Sequence, residues 1–234
     1  MSCVTTCIGV LLAIWLKENT KLIAAGIGFS TGIMLLISLF ELIPESNAAI
    51  GTRTTFLTTA LGAGLVWTAH IIIPHTHLVE EKRGIDPRLL RSVYLVIFGV
   101  ILHDVPEGFS MANAYITSPS LGILVALAIA LHNLPEEFAM AVPAVTLKSK
   151  RFLFGAALLS SLAEPLGAII GLVAVNSLPS LNPFFMSFAA GAMIFVSIHE
   201  LIPMARRYRH MWLFFGGMLL SALVYRLLAL MTVG

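Results

Sequence analysis

Apolar runs separated by short polar clusters set the pattern of this chain. Eight runs reach or approach the roughly 20 residues a helix needs to cross a bilayer. They cover about 1–16, 21–45, 53–73, 92–114, 121–146, 152–176, 183–205 and 211–232. The first run begins at Met1 and is short. It has no basic leading region and no clear cleavage site, so it reads as a span and not as a signal peptide. The longest connector is 75–91, with His75, His77 and the charges of Glu80, Glu81, Lys82, Arg83, Asp86, Arg88 and Arg91. With no Gly/Ser linker and no polar domain, the pattern predicts an all-α polytopic membrane protein, a single domain over 1–234.

Composition agrees. The chain is 58% hydrophobic and 11% charged, with a mean hydropathy of +0.95, against roughly 45–50% apolar and about 25% charged for a soluble domain. That excludes an ordinary soluble domain and a disordered chain. A net charge of +2 offers no basic face for nucleic acid. Cys3 and Cys7 form no disulfide framework and read as packing residues on one helix face.

The charges are sorted. Lys and Arg gather in cytoplasmic connectors of membrane proteins. Lys17 and Lys21 lie between spans one and two, and Lys82, Arg83, Arg88 and Arg91 between three and four. Lys148, Lys150 and Arg151 lie between five and six, and Arg206, Arg207 and Arg209 between seven and eight. Twelve of the fourteen basic residues thus share one side; Arg53 and Arg226 fall on the other. The expectation is eight spans in a cell membrane, with both termini outside.

Seven acidic residues fall inside spans: Glu41, Asp104, Glu107, Glu136, Glu137, Glu164 and Glu200. Ionisable groups at that depth are expensive and mark function. Arg226 is nearly the sole basic counterpart, so the carboxylates are expected to be protonated, to line water or to bind cations. His103, His132 and His199 lie among them. Spans four and five carry one pattern twice, His103-Asp104-Val105-Pro106-Glu107 and His132-Asn133-Leu134-Pro135-Glu136, displaced by 29 residues. Positions i and i+4 share a helix face, so each His points with its Glu, flanked by Asp104 or Asn133. Each motif begins about eleven residues into its span, near mid-membrane, and Glu164 lies at the same depth. Pro106 and Pro135 remove hydrogen bonds to the carbonyls of Leu102 and Leu131, as expected of broken helices around an ion site.

Imidazole with carboxylate suits zinc, iron, manganese, cobalt or cadmium; magnesium and calcium would take all-oxygen shells. The ligands exceed one tetrahedral shell, so either two ions share bridging carboxylates or the groups are used in turn. A second echo pairs Phe40-Glu41-Leu42-Ile43-Pro44 in span two with His199-Glu200-Leu201-Ile202-Pro203 in span seven. These spans run in opposite directions, which predicts inverted-repeat character. Glu41 would guard the outer mouth, and His199 with Glu200 the inner one. Glu137 is expected to line the cavity. His70, His75 and His77 stand near the inner connector, and His210 at the interface. Ala24, Ala25, Gly28 and Gly32 suit close helix packing; Met34 is the methionine to watch.

The pattern resembles the ZIP family of zinc/iron-type metal transporters, in its bacterial zinc-uptake branch. The residues that carry the likeness are His103-Asp104-Val105-Pro106-Glu107-Gly108, His132-Asn133-Leu134-Pro135-Glu136, Ala163-Glu164-Pro165-Leu166-Gly167 and His199-Glu200-Leu201-Ile202-Pro203. The resemblance implies import of divalent cations to the cytoplasm, homodimers, and a two-metal centre in spans four and five. One site would use His103, Glu107, His132 and Glu136, with Met34 joining from span two. The other would use Asp104, Glu107, Asn133, Glu136 and Glu164, with Glu107 and Glu136 bridging. Sliding of one helix group against another is the mechanism suggested for relatives. Asp104 stands where the family usually has Asn, and Glu137 where it usually has Gly. Both add negative charge, which should tighten cation binding and slow release.

The expected function is a transporter of zinc, and of iron, manganese, cobalt or cadmium, bound as substrate with no cofactor and no covalent chemistry. Its partners are the metal ion and the lipid bilayer. The rival is an intramembrane metalloenzyme, a protease or a di-metal carboxylate oxidase. A zinc protease of the common kind would show H-E-x-x-H, and a di-iron bundle Glu-x-x-His; the order here is His-x-x-x-Glu. A metal sensor is a weaker third reading.

Overall fold

The computed structural model describes residues 2–16, 19–72, 104–146 and 150–233. Among these no strand occurs, and eight helical runs follow one another. They are α1 (Ser2–Leu16); α2 (Thr20–Ile37) running into α3 (Ile43–Ile50); α4 (Thr52–Ile72); α5 (104–117); α6 (Pro119–Thr146); α7 (Lys150–Ser177); α8 (Asn182–Val196) running into α9 (Ile202–Arg207); and α10 (Met211–Val233). The second run starts where the Asn19 side chain accepts the Leu22 N–H at 3.1 Å, an N-cap that satisfies an orphan donor. It ends at Gly51, whose φ of +77° lets the chain reverse directly into α4.

The two long runs are not uniform helices. Ser38–Leu42 and Ser197–Leu201 each form a π-helical turn. Pro44 and Pro203 follow, and neither has an N–H to give the carbonyl four residues earlier. One extra residue is accommodated instead: the Ile43 N–H reaches the Ser38 carbonyl, and the Ile202 N–H the Ser197 carbonyl. The echo extends back from these turns. Segments 32–44 and 191–203 agree at seven positions: Gly32/Gly191, Met34/Met193, Ser38/Ser197, Glu41/Glu200, Leu42/Leu201, Ile43/Ile202 and Pro44/Pro203. Their packing is also mirrored, α10 lying on α2 as α4 lies on α8. Both crossings are close because glycine permits it. A Cβ at Gly28 would overlap the Phe214 carbonyl, and one at Gly62 the Phe188 carbonyl. The two long runs thus echo each other in sequence and in packing.

At Pro135 the expected break does not occur, since α6 continues through it, as α7 does through Pro165. At Pro106 the carbonyl in question, that of Leu102, lies outside the described residues. α2 crosses at the Pro135 level, with Gly26 facing the proline ring and Ser30 Oγ donating to the His132 carbonyl at 2.8 Å. α2 thus packs against the Pro135 turn of α6, and among the described residues the π-helical backbone lies at Ser38–Leu42 and Ser197–Leu201.

The interior is apolar around Ile23, Ile27, Ile33, Met34, Ile129, Met193 and Phe214. The outside is apolar too: Trp15, Phe56, Trp212, Leu219 and Met231 are all exposed. A protein apolar on both faces is solvated by lipid. Thr20–Ile50, Pro179–Arg207 and Met211–Met231 are long and apolar enough to cross a membrane, with mean hydropathies of 2.1, 1.7 and 1.9.

Candidate metal centre

Three helices bring polar side chains into this apolar interior. α5 carries Asp104 and Glu107, α6 carries His132, Asn133 and Glu137, and α7 carries Glu164; all six are buried, with Glu107 and His132 wholly inaccessible. α5 and α7 approach closely because both face each other with glycine. A Cβ at Gly108 would overlap the Glu164 carbonyl, and one at Gly167 the Val105 carbonyl.

The centre is a contact between the two halves of the doubled motif. His132 Nε2 lies 2.9 Å from Glu107 Oε1. The other ring nitrogen, Nδ1, lies 3.1 Å from the Ala128 carbonyl. A carbonyl only accepts, so Nδ1 carries the proton of that bond. The Nε2 contact then needs a second proton, on the imidazole or on the carboxyl. Glu107 Oε2 is buried with no hydrogen-bond partner among the described residues. Ser110 Oγ donates to the Glu107 carbonyl at 2.8 Å. On the next interface, Asn133 Nδ2 donates to Glu164 Oε2 at 2.9 Å.

Glu107 and His132 are therefore joined directly, and Asn133 with Glu164. Asp104 and Glu137 are buried on the same two helices. His103 and the side chain of Glu136 lie outside the described residues, as do the side chain of His70 and residues His75 and His77. Among the described residues no three His, Cys, Asp or Glu side chains form a ready-made shell. Met34 is fully buried in the core, with Ser197 Oγ 3.7 Å from its sulfur. Nearer the helix ends, Glu41 is half-buried in the first π turn and accepts a short hydrogen bond from the Tyr225 hydroxyl. Glu200 is half-buried in the second π turn, while His199 is exposed with its ring stacked on Phe195 at 4.8 Å.

Uncharged partners escaped the sequence reading. Ser30, Tyr225 and Asn113 hold polar positions inside spans and Asn182 stands one residue before one, but a search for charged residues in spans passes over them. The two Asn were the one available signal, because an amide inside an apolar run also needs partners.

A helical bundle apolar inside and out, with carboxylates and imidazole enclosed at its centre, defines a polytopic membrane protein with a polar heart. A profile of the family described as ZIP zinc transporter matches residues 74–231. The zinc transporter ZupT of Corynebacterium aurimucosum is 36% identical over 225 residues, spanning 88% of this chain and 84% of its own length. That of Stenotrophomonas maltophilia strain K279a is 37% identical over 223 residues, spanning 87% and 82%. That of Escherichia coli O127:H6 is 34% identical over 204 residues, spanning 81% and 77%. The chain belongs to the ZIP zinc transporter family, and it is a transporter, not an enzyme.

Proposed function

We propose that the chain imports zinc, and with it iron, manganese, cobalt or cadmium as divalent ions, into the cytoplasm by alternating access. The single observation that carries this reading is the buried Glu107–His132 contact at 2.9 Å, with Glu107 Oε2 left over. Two helices present imidazole and carboxylate to one buried point, which is a cation's environment. The ion would take His103, Glu107, His132 and Glu136, with Met34 beside them. A second ion would take Asp104, Asn133 and Glu164, with Glu107 and Glu136 bridging. The zinc-transporter names of the relatives support the choice of ion.

These side chains replace the hydration shell, and the ion leaves when the bundle opens on the other side. Glu41 serves the outer mouth, Glu200 and His199 the inner one, and Glu137 lines the cavity. The protein sits as a single domain in the cell membrane, with both termini outside, as a homodimer. Zinc flux into proteoliposomes holding the purified chain tests the reading. Glu107→Gln keeps the volume and removes the charge; uptake is expected to fall by at least about tenfold, as for loss of a metal-site group. Uptake at the unaltered rate would sink it.

A further inference from the structure

Outward from Glu107, α5 continues as a polar row. Asp104, Glu107, Ser110, Asn113 and Thr117 recur at intervals of three or four residues, each beside the next, so they wind slowly around the helix, with Asn113 about a third of a turn from Glu107. The first four are buried, Ser110 and Asn113 completely, while Thr117 is exposed at the outer end. Such a row in a membrane helix is expensive unless something polar uses it.

At its outer end the row meets α8. Asn182 Nδ2 donates to Thr117 Oγ1 at 2.6 Å and points to the Asn113 carbonyl at 3.4 Å. Thr117 Oγ1 donates to the same carbonyl at 3.0 Å, with the Met186 sulfur 3.3 Å away. Asn113 Nδ2 donates to the Phe109 carbonyl at 2.5 Å. Each amide nitrogen thus faces an acceptor, which sets the orientation of both amide groups. Their oxygens, Asn113 Oδ1 and Asn182 Oδ1, are buried with no donor among the described residues. Two buried, unpartnered carbonyl-type oxygens at one helix junction call for a ligand that is all donor or all positive.

We infer that Asn113 and Asn182 form an outer waypoint for the divalent cation, holding it part-hydrated before it passes Ser110 to Glu107. The inference rests on the transport reading above. Neutral amide oxygens bind such an ion weakly, which suits a station that must release it inward. The midplane site, with its carboxylates, then takes it more firmly.

The test is zinc uptake against concentration in proteoliposomes, with zinc binding and thermal unfolding of the same proteins in detergent. Asn113→Leu removes one oxygen at nearly constant volume. It is expected to raise KM about tenfold, with maximal rate and zinc binding at the midplane within about twofold. Asn182→Asp adds a charge that the Thr117 hydroxyl can turn to meet, and is expected to lower KM severalfold. An unchanged KM in both variants would overturn the waypoint, as would a maximal rate that falls only in step with lost thermal stability. No uptake by the unaltered chain would overturn the transport reading and the waypoint with it; uptake by the unaltered chain with unmoved KM values overturns the waypoint alone.

Discussion

His132 stands between two acceptors, the Ala128 carbonyl and the Glu107 carboxyl, so the pair holds a proton in its hydrogen-bonded form. A metal ion needs Nε2 and the carboxylate bare, and must displace that proton. Uptake is therefore expected to fall as the medium is acidified, because protons and metal compete for the same atoms. Flux measured at fixed free zinc over a series of pH values checks it, and an uptake rate that rises on acidification would contradict it. Ser30 belongs to the same unit although it touches no candidate ligand atom. Its hydroxyl holds the His132 carbonyl and so fixes the depth of the imidazole relative to α2. Charge made His132 and Glu107 legible in the sequence. Ser30 was not, because its role exists only where α2 crosses α6.

Among the elements, the paired π turns and the paired glycine crossings belong together. Each π turn contains a carboxylate, Glu41 or Glu200, and ends two residues before a proline, and so places those carboxylates outside the regular 3.6-residue period. The glycines bring α10 onto α2 and α4 onto α8 near enough for the backbones to touch. Gly62→Val should force the Phe188 carbonyl away and cost at least about 1–3 kcal/mol by overpacking. The same change at Gly64, where a Cβ would meet nothing within 4 Å, should be nearly silent. Thermal unfolding of both variants in detergent separates them, and equal melting temperatures would contradict the close crossing. The small residues of α2 already indicated tight packing; the partner of each glycine was not readable, since it lies on a helix more than a hundred residues away.

At the scale of the whole molecule, the sorted charges make a topology map that can be checked directly. With Cys3 and Cys7 replaced by Ala, a cysteine at Ser118, in the turn between α5 and α6, should react with an impermeant thiol reagent on intact cells. One at Arg209, between α9 and α10, should react after permeabilisation only. The reverse pattern would invert the orientation and with it the outer and inner mouths. Three helices, α5, α6 and α7, bring the buried polar groups together, while the mirrored α2–α10 and α8–α4 pairs carry the apolar crossings.

The sequence by itself determined that the protein is helical and lives in a membrane, because apolar run length and sparse charge depend on composition alone. It also marked the doubled His-x-x-x-Glu motif and the Glu-Leu-Ile-Pro echo, because ionisable residues inside apolar runs stand out whatever their neighbours. The tertiary structure decided which of these meet. It joined Glu107 to His132 and Asn133 to Glu164, kept α6 helical through Pro135, and moved the irregular backbone to Ser38–Leu42 and Ser197–Leu201. It also revealed the oxygens of Asn113 and Asn182, buried without a donor among the described residues. Those outcomes rest on contacts between distant helices. A hydrogen bond is made or withheld by the geometry of two backbones, and one chain position does not contain that geometry.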